Sequence, residues 1–322
     1  MRQAGRYIPE YRQIRAKNEV MDICRNPQLS AIVSLLPIEK LDVDAAIIFA
    51  DIMLPLESLG IKFELIDGVG PVVKNPVRNM SDVESLTEIN IKESTPFVFE
   101  AIRITLERLN GRVPLIGFSG APFTLAGYMI EGKPTRDFVE TKKLMYNHPE
   151  AWNLLLLKLS KMVVNYLNLQ IDAGAHAIQI FDSWVGFLGP NDYREFVLPH
   201  SRRIFKALEG KNVPVIHFGT GTSTLLELMK EAGGDVIGVD WRIPLNVAWQ
   251  RIGYEKGIQG NMDPAILLGS ARYVTKCAAE ILNQAENRPG HIFNLGHGVL
   301  PETEVKNVIH LVKTVHELGK NG

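Results

Sequence analysis

The sequence predicts an α/β fold, a (β/α)8 TIM barrel formed as a single domain over residues 1–322. Short apolar runs bounded by polar residues recur along the chain, as is typical of strands buried in a parallel sheet. Segments with helical spacing or capping residues separate these runs. A doubly wound sheet is the alternative architecture, but no G-x-G-x-x-G follows the first predicted strand.

Eight strands are predicted. The first is Asp44 to Asp51, and the second, a weaker candidate, is Lys62 to Ile66 with Pro71 to Lys74 as a possible hairpin partner. The other six strands cover residues 113–120, 177–183, 214–219, 236–241, 257–262 and 291–298. Eight parallel strands are the number that closes a barrel of this kind.

Helices are predicted between the strands. One or two helices cover Asn18 to Leu36 and end near Pro37, because proline interrupts a helix. The later helices cover residues 94–109, 137–146, 149–171, 191–208, 222–231, 244–251, 264–285 and 301–318. The most apolar of them carries Lys158 and Lys161, so it is interpreted as a buried helix rather than a membrane span.

Composition narrows the function classes. The formal net charge is −1, so no overall positive field is available to hold nucleic acid. The only cysteines are Cys24 and Cys277, which excludes a disulfide framework and suits a reducing compartment. No apolar core follows the charged N-terminus, so no signal peptide is predicted. We therefore expect a cytoplasmic protein that binds neither nucleic acid nor a membrane.

The arginine-rich N-terminal segment, residues 1–16, is the first candidate for binding. It contains four arginines and one acid, and Arg2 and Arg6 would share a face of a helical turn. Gly5 between them lets the backbone approach a ligand. Guanidinium groups are planar forks that fit carboxylates or phosphates. The alternative is a frayed tail, but the interleaved apolar residues favour burial: Tyr7, Ile8, Tyr11 and Ile14.

Polar residues at the predicted strand ends are the next candidates, because barrel active sites lie at the carboxyl ends of the strands. They are Asp51, Asp182, Ser183, His217, Asp240, Asn261, Asp263 and His297, with the Ser119–Pro122 turn. For Asp182, Asp240 and Asp263 a capping or packing role is equally consistent, and Asp263-Pro264 has the pattern of a helix N-cap.

Asp51 and His297 have the most informative surroundings. Ile52 to Leu56 is apolar, so the Asp51 carboxylate would need a partner, either the N-terminal arginines or a cationic or N–H-bearing ligand. His297 lies between Gly296 and Gly298, which would let a ligand approach, although a core histidine is the alternative.

Other chemistries are less well supported. His217, His297, Asp51, Asp182 and Asp240 could converge on an ion, but no H-x-H or H-E-x-x-H spacing occurs. Ser183 lacks a G-x-S-x-G elbow. The Gly219–Thr222 stretch could cradle a phosphate, but a tight turn is preferred. We expect no metal and no cofactor.

Several motifs together resemble the uroporphyrinogen decarboxylase family. They run in family order over nearly the whole chain and are residues 1–7 (MRQAGRY), 49–52 (FADI), 120–125 (GAPFTL) with Tyr128, 181–183 (FDS) with Gly189-Pro190, 260–264 (GNMDP) and 294–298 (NLGHG). The resemblance implies a cytoplasmic barrel enzyme, a homodimer without cofactor or metal, that acts on a small-molecule substrate. It removes the four acetate carboxyl groups of uroporphyrinogen III as CO2 and yields coproporphyrinogen III.

The resemblance also implies roles by position. Asp51 corresponds to the central carboxylate that binds the pyrrole N–H groups, and Arg2 to the residue usually suspected of donating the proton. Substrate binding is implied for Arg2, Gln3, Ala4, Gly5, Arg6, Asp51, Tyr128, Ser183 and His297. Arg15 matches a further basic residue, and Ile47 and Phe181 match apolar residues that pack on the macrocycle. Trp184 stands where some members carry histidine, so that contact does not transfer.

Two rival functions remain. Cobamide- or thiol-dependent methyltransferases share the barrel but hold zinc through His and a C-terminal Cys at a strand end, whereas Cys277 is predicted in a helix. A non-enzymatic tetrapyrrole carrier would need the arginines but not Asp51. The family also has residues ahead of the arginine motif, whereas Met1 begins inside it. We therefore expect this chain either to be truncated or to start at the wrong methionine.

Overall fold

The computed structural model describes residues 3–66, 68–135 and 137–319. Its central element is a seven-stranded sheet in which every neighbouring pair of strands is parallel. In sheet order the strands are β1 (Ala46–Ile47), β4 (Leu115–Gly120), β5 (Ala177–Asp182), β6 (Val215–Gly219), β7 (Val236–Gly238), β8 (Gly257–Met262) and β9 (His291–Leu295).

The sheet is strongly curled. Gln179 lies on β5 and Gln259 on β8, three strands away, yet the Gln259 Nε2 atom donates to Gln179 Oε1 at 3.4 Å. Neighbouring strands are separated by about 4.8 Å, so these side chains could not meet across a flat sheet. Both are buried, which places them inside the curve.

The predicted second strand is not part of this sheet. Residues Phe63–Ile66 (β2) and Gly70–Val73 (β3) form a separate antiparallel pair. Exposure alternates along β2, with Glu64 and Ile66 exposed, as in a strand that is solvated on one face. The prediction of eight parallel strands is therefore wrong for this segment, and in the described ranges no pairing joins β1 to β9.

Helices follow the strands as predicted. They are α1 (Pro9–Arg15), α2 (Val20–Arg25), α3 (Pro27–Leu41), α4 (Met80–Glu84), α5 (Ile91–Ser94), α6 (Pro96–Leu109), α7 (Pro122–Glu131), α8 (Val139–Asn147), α9 (Pro149–Asp172), α10 (Pro190–Asp192), α11 (Leu198–Leu208), α12 (Leu226–Ala232), α13 (Leu245–Ile252), α14 (Ala271–Ala285) and α15 (Val305–Gly319). The predicted stop at Pro37 is wrong, because α3 continues to Leu41. Tertiary burial of Leu35, Leu36 and Leu41 outweighs the backbone bond that proline loses.

One hydrophobic core joins these elements. Its buried apolar side chains run from Ala4 to Leu311 and form a single cluster. Within the part of the chain that the structure describes, no helix is both long and apolar enough to cross a bilayer.

Candidate active site

The site is built at the edge where the parallel strands end. Asp51 follows β1, Ser183 follows β5, and His297 follows β9, so the pairing of these strands places all three on one edge of the sheet. Helix α7, which starts directly after β4, carries Tyr128. The described part of the predicted site thus converges on the carboxyl ends of the strands, as expected for an α/β sheet of this type.

The N-terminal segment is packed rather than frayed where the structure describes it. Tyr7 and Ile8 are buried, and helix α1 begins at Pro9. Residues 3–8 form bends and turns, so the helical turn predicted for Arg2 and Arg6 is not seen in the described residues. Arg6 is exposed, and its carbonyl accepts a hydrogen bond from Arg12 Nη1 at 2.8 Å. Arg2 itself lies outside the described residues.

Gln3, Ala4 and Gly5 line the same segment. Gln3 Nε2 donates to the carbonyl of Ala45 at 2.9 Å, which ties the segment to the loop before β1. Ala4 is buried. A Cβ on Gly5 would meet only the Tyr7 ring, at 3.7 Å, which is ordinary contact. No close packing within the described chain therefore demands glycine at this position.

Asp51 is half-buried, and the residues that follow it are buried and apolar. Its Oδ1 atom accepts from the Met53 backbone N–H at 2.8 Å, and its carbonyl accepts from Leu54 at 3.2 Å. Met53 and Leu54 are fully buried. Burial, together with the negative charge of Asp51, raises the pKa of the neighbouring Cys24 thiol. A carboxylate in this low-polarity setting interacts strongly with any cation or N–H group placed above it.

Asp182, by contrast, is enclosed. The Thr124 hydroxyl donates to Asp182 Oδ1 at 2.9 Å and accepts from the Trp184 backbone N–H at 3.2 Å. Asp182 Oδ2 has no hydrogen-bond partner among the described residues. Burial raises the pKa of Asp182 to about 7. Asp182 therefore has the packing role, and it joins α7 to the end of β5 through Thr124.

Thr124 was not assigned a role from the sequence. Its position one helical turn before Tyr128 was the available signal, because residues four apart share a face of a helix. The Thr124 contact holds the chain that carries Ser183. The Ser183 carbonyl also accepts a hydrogen bond from the Thr220 hydroxyl.

Trp184 connects Tyr128 to the Ser183 turn. The Tyr128 and Trp184 rings pack edge to face, with centroids 6.1 Å apart. Trp184 also packs against Phe138, with ring centroids 5.6 Å apart. The indole therefore fills space behind the site, and Tyr128 and Ser183 stay half-buried beside it.

His297 is exposed, so the core alternative for this histidine is wrong. A Cβ on Gly296 would lie 2.8 Å from the Trp241 backbone nitrogen and 3.0 Å from the Asp240 Cα. Close backbone packing thus accounts for glycine at position 296, without the ligand approach that the sequence suggested. The loop that carries His297 is pressed against the end of β7.

The remaining strand-end candidates are structural. His217 is buried against Phe205, its ring centroid 4.6 Å from that of Phe205, and burial lowers its pKa to about 4. Asp240 accepts from the Gly221 N–H at 2.7 Å, which supports the tight-turn interpretation of that glycine-rich stretch. Asp263 accepts from Ala265 at 2.9 Å, so the predicted N-cap is confirmed.

Asn261 is also engaged within the protein. Its side-chain amide donates to the carbonyls of Asp240 and Ile243 at 2.9 and 2.7 Å. Among the described residues, no three His, Cys, Asp or Glu side chains are grouped so that they could hold a metal ion.

The chain was compared with known families and proteins. Residues 1–318 match the family profile described as "Uroporphyrinogen decarboxylase (URO-D)". A uroporphyrinogen decarboxylase from Carboxydothermus hydrogenoformans is 52% identical over 319 residues, covering 99% of this chain and 91% of that protein. One from Sorangium cellulosum is 50% identical over 320 residues, covering 99% and 91%.

Two solved structures have a similar fold. A methyltransferase from Methanosarcina mazei has a TM-score of 0.79 at 21% identity, covering 93% of this chain and 90% of that one. A B12-independent methionine synthase from a Shewanella strain has a TM-score of 0.61 at 12% identity, covering 92% and 87%. At these identities the similarity concerns the fold alone.

Proposed function

This chain belongs to the uroporphyrinogen decarboxylase family, and we propose that it removes the four acetate carboxyl groups of uroporphyrinogen III as CO2 to give coproporphyrinogen III. The observation that carries the proposal is the position of Asp51. Asp51 is a half-buried carboxylate beside buried apolar residues. It lies at the carboxyl ends of the strands, as Tyr128, Ser183 and His297 do.

The chemistry requires a temporary electron sink. A proton adds to the ring carbon beside the one bearing the acetate, and the ring becomes a cation. The electron pair of the breaking C–C bond flows into that cation as CO2 leaves. A second proton reaches the exocyclic carbon, which becomes a methyl group, and the ring carbon releases its own. Each cycle thus consumes one acetate and one proton net.

Asp51 stabilises the cationic intermediate and orients the substrate. Its carboxylate accepts hydrogen bonds from the pyrrole N–H groups, and its negative charge lies close to the developing positive charge. Such a preorganised charge in a dry site is a strong form of catalysis. Arg2 is the proposed proton donor; a water or a substrate carboxylate is the alternative, because an isolated guanidinium is a poor acid.

The arginine-rich segment receives the substrate carboxylates. Arg2, Arg6 and Arg15 supply guanidinium groups, and the backbone and side chains of Gln3, Ala4 and Gly5 complete that wall. Tyr128, Ser183 and His297 supply the remaining polar contacts. Ile47 and Phe181 pack against the macrocycle. Arg6 supports this assignment because its side chain is exposed at the described end of the segment.

The wider expectations are proposed with it. We propose a single domain of the TIM-barrel type, which the continuous core and the curled sheet of seven parallel strands support. We also propose a cytoplasmic homodimer that works without cofactor or metal, as expected for the family.

A methyltransferase function is the less favoured alternative. The zinc-dependent enzymes need a cysteine at a strand end, but Cys277 is buried within helix α14 and Cys24 within α2. A tetrapyrrole carrier would bind the substrate without converting it, so turnover distinguishes an enzyme from a carrier.

The test is anaerobic incubation of the purified protein with uroporphyrinogen III, with and without a chelator, followed by separation of the oxidised products by carboxylate number. We expect a ladder from eight carboxylates to four that the chelator leaves unchanged. Tight binding without products would indicate a carrier, and loss of products with the chelator would indicate a metal enzyme.

A further inference from the structure

Two buried serines on helix α3 hold the backbone of Phe49. The Ser34 hydroxyl accepts from the Phe49 N–H at 2.7 Å, and the Ser30 hydroxyl donates to the Phe49 carbonyl at 2.6 Å. Ser34 Oγ also donates to the Ser30 carbonyl at 2.8 Å, so each hydroxyl proton has a defined acceptor. We call the contacts of Ser30 and Ser34 with the Phe49 backbone the serine clamp.

The serine clamp lies where the hydrogen bonds between β1 and β4 end. The last bond from this segment to β4 runs from the Ile48 N–H to the Ile116 carbonyl at 3.1 Å. One residue later, the peptide groups of Phe49 bond to side chains of α3. Both serines are only 1% exposed, and a buried polar group without a partner costs free energy. The hydroxyls therefore replace the strand neighbour that Phe49 would otherwise need.

The clamped residue stands two positions before Asp51. On the other side of Asp51, the Met53 N–H donates to its carboxylate at 2.8 Å. The backbone is thus fixed before Asp51 by the serine clamp and after Asp51 by the turn at Met53. The Phe49 ring also contacts the Tyr11 ring, with centroids 5.7 Å apart, so the clamp is connected to the arginine-rich segment.

We propose that Ser30 and Ser34 are positioning residues that fix the Asp51 carboxylate against the substrate. The inference rests on the proposed function, because it assigns a purpose to the exact placement of Asp51. Small displacements of a catalytic group reduce kcat steeply, whereas substrate capture by the arginines depends little on them. The effect of the clamp should therefore fall on kcat rather than on KM.

The test compares Ser34→Ala with a matched control, Ser160→Ala. Ser160 is a buried serine on α9 whose hydroxyl bonds to the carbonyls of Leu156 and His200 at 2.7 and 3.3 Å, away from Asp51. We expect Ser34→Ala to lower kcat about 10-fold with KM nearly unchanged, and Ser160→Ala to leave both constants unchanged. If Ser34→Ala does not fold, Ser30→Ala is the milder variant, which keeps the Ser34 contact.

A double-mutant cycle asks whether the effect passes through Asp51. In an Asp51→Glu background the carboxylate is already displaced, so Ser34→Ala should lower the residual kcat less than about twofold. Additive losses, or a wild-type kcat in the clamp variants, would overturn the inference. If the wild-type enzyme itself gives no products from uroporphyrinogen, the proposed function fails instead, so the two failures are distinct.

Discussion

Asp51 and Asp182 both stand where a parallel strand ends, yet their surroundings differ in almost every respect. Asp51 is half-buried, and the backbone N–H of Met53 donates to it. Asp182 is fully buried, and a neighbouring side chain, Thr124, donates to it. The strand end alone thus does not define a catalytic acid. Exposure separates Asp51, which is proposed to meet the substrate, from Asp182, which is enclosed by the protein.

The difference also appears in charge. Burial raises the pKa of Asp182 to about 7, so much of the population is neutral near physiological pH. A neutral carboxyl group is suited to packing and hydrogen bonding but not to stabilising a cation. Exchanging acid for amide should therefore reduce kcat at Asp51 and change the pH dependence of stability at Asp182.

The largest expected effect is that of Asp51→Asn. The amide keeps the size of the side chain but removes the negative charge, so we expect kcat to fall by about 100- to 1,000-fold while substrate binding is largely kept. Stopped anaerobic assays with product separation measure kcat, and equilibrium dialysis measures binding.

The matched control is Asp44→Asn, at the opposite end of β1, where the exposed carboxylate contacts His316 at 3.0 Å. It should leave kcat unchanged. Full activity in Asp51→Asn would remove the proposed role of Asp51.

A smaller effect is expected from Thr124→Val, which breaks the link behind the site. The change leaves Asp182 and the Trp184 N–H without their shared hydroxyl, so the free energy of unfolding should fall by about 1–3 kcal/mol. Urea unfolding followed by tryptophan fluorescence measures it. Thr124→Ser should restore most of the loss. An equal loss in Thr105→Val, whose hydroxyl donates to the Ala101 carbonyl at 2.6 Å within its own helix, would show that the Thr124 network adds nothing specific.

The smallest effect concerns the pH dependence of stability. The folded protein holds the Asp182 proton more tightly than the unfolded chain does, so it binds more protons between the ordinary pKa of 3.8 and about 7. Stability from this group therefore falls as pH rises through that window. Asp182→Asn should flatten the decline in Tm between about pH 4 and about pH 7. Asp192→Asn, which changes a half-buried acid that accepts from the Tyr146 hydroxyl at 2.8 Å, should keep the wild-type decline.

Several features of the fold are predictable from the sequence. The predicted segment 177–183 coincides with β5, Ala177–Asp182, because a short, mostly apolar run between polar residues is typical of a buried strand. The N-cap at Asp263 followed from a purely local pattern. The hairpin pairing of the segment at Phe63 with the stretch from Pro71 is confirmed, but its place among the eight barrel strands is wrong, because a short β-prone run does not reveal whether its hairpin joins the main sheet.

The supporting contacts were not predictable. The serine clamp joins residues 19 and 15 positions apart, and the Thr124–Asp182 bond joins residues 58 apart. Helical spacing tells which side of α3 faces the core, but not which backbone atoms its hydroxyls will meet. Gly296 is a second example of a contact that the sequence does not reveal. Its neighbour Trp241 comes from another strand end, and the requirement for glycine is visible only in the packed structure.

The central claim is that the Asp51 carboxylate accepts hydrogen bonds from the pyrrole N–H groups. The most direct measurement is proton–nitrogen NMR of nitrogen-15-labelled coproporphyrinogen, the proposed product, bound anaerobically. In the wild-type protein and in Asp182→Asn we expect the pyrrole N–H resonances to shift downfield and to exchange slowly with solvent. In Asp51→Asn both signatures should be lost although the ligand still binds. Identical N–H resonances in all three proteins would contradict the claim.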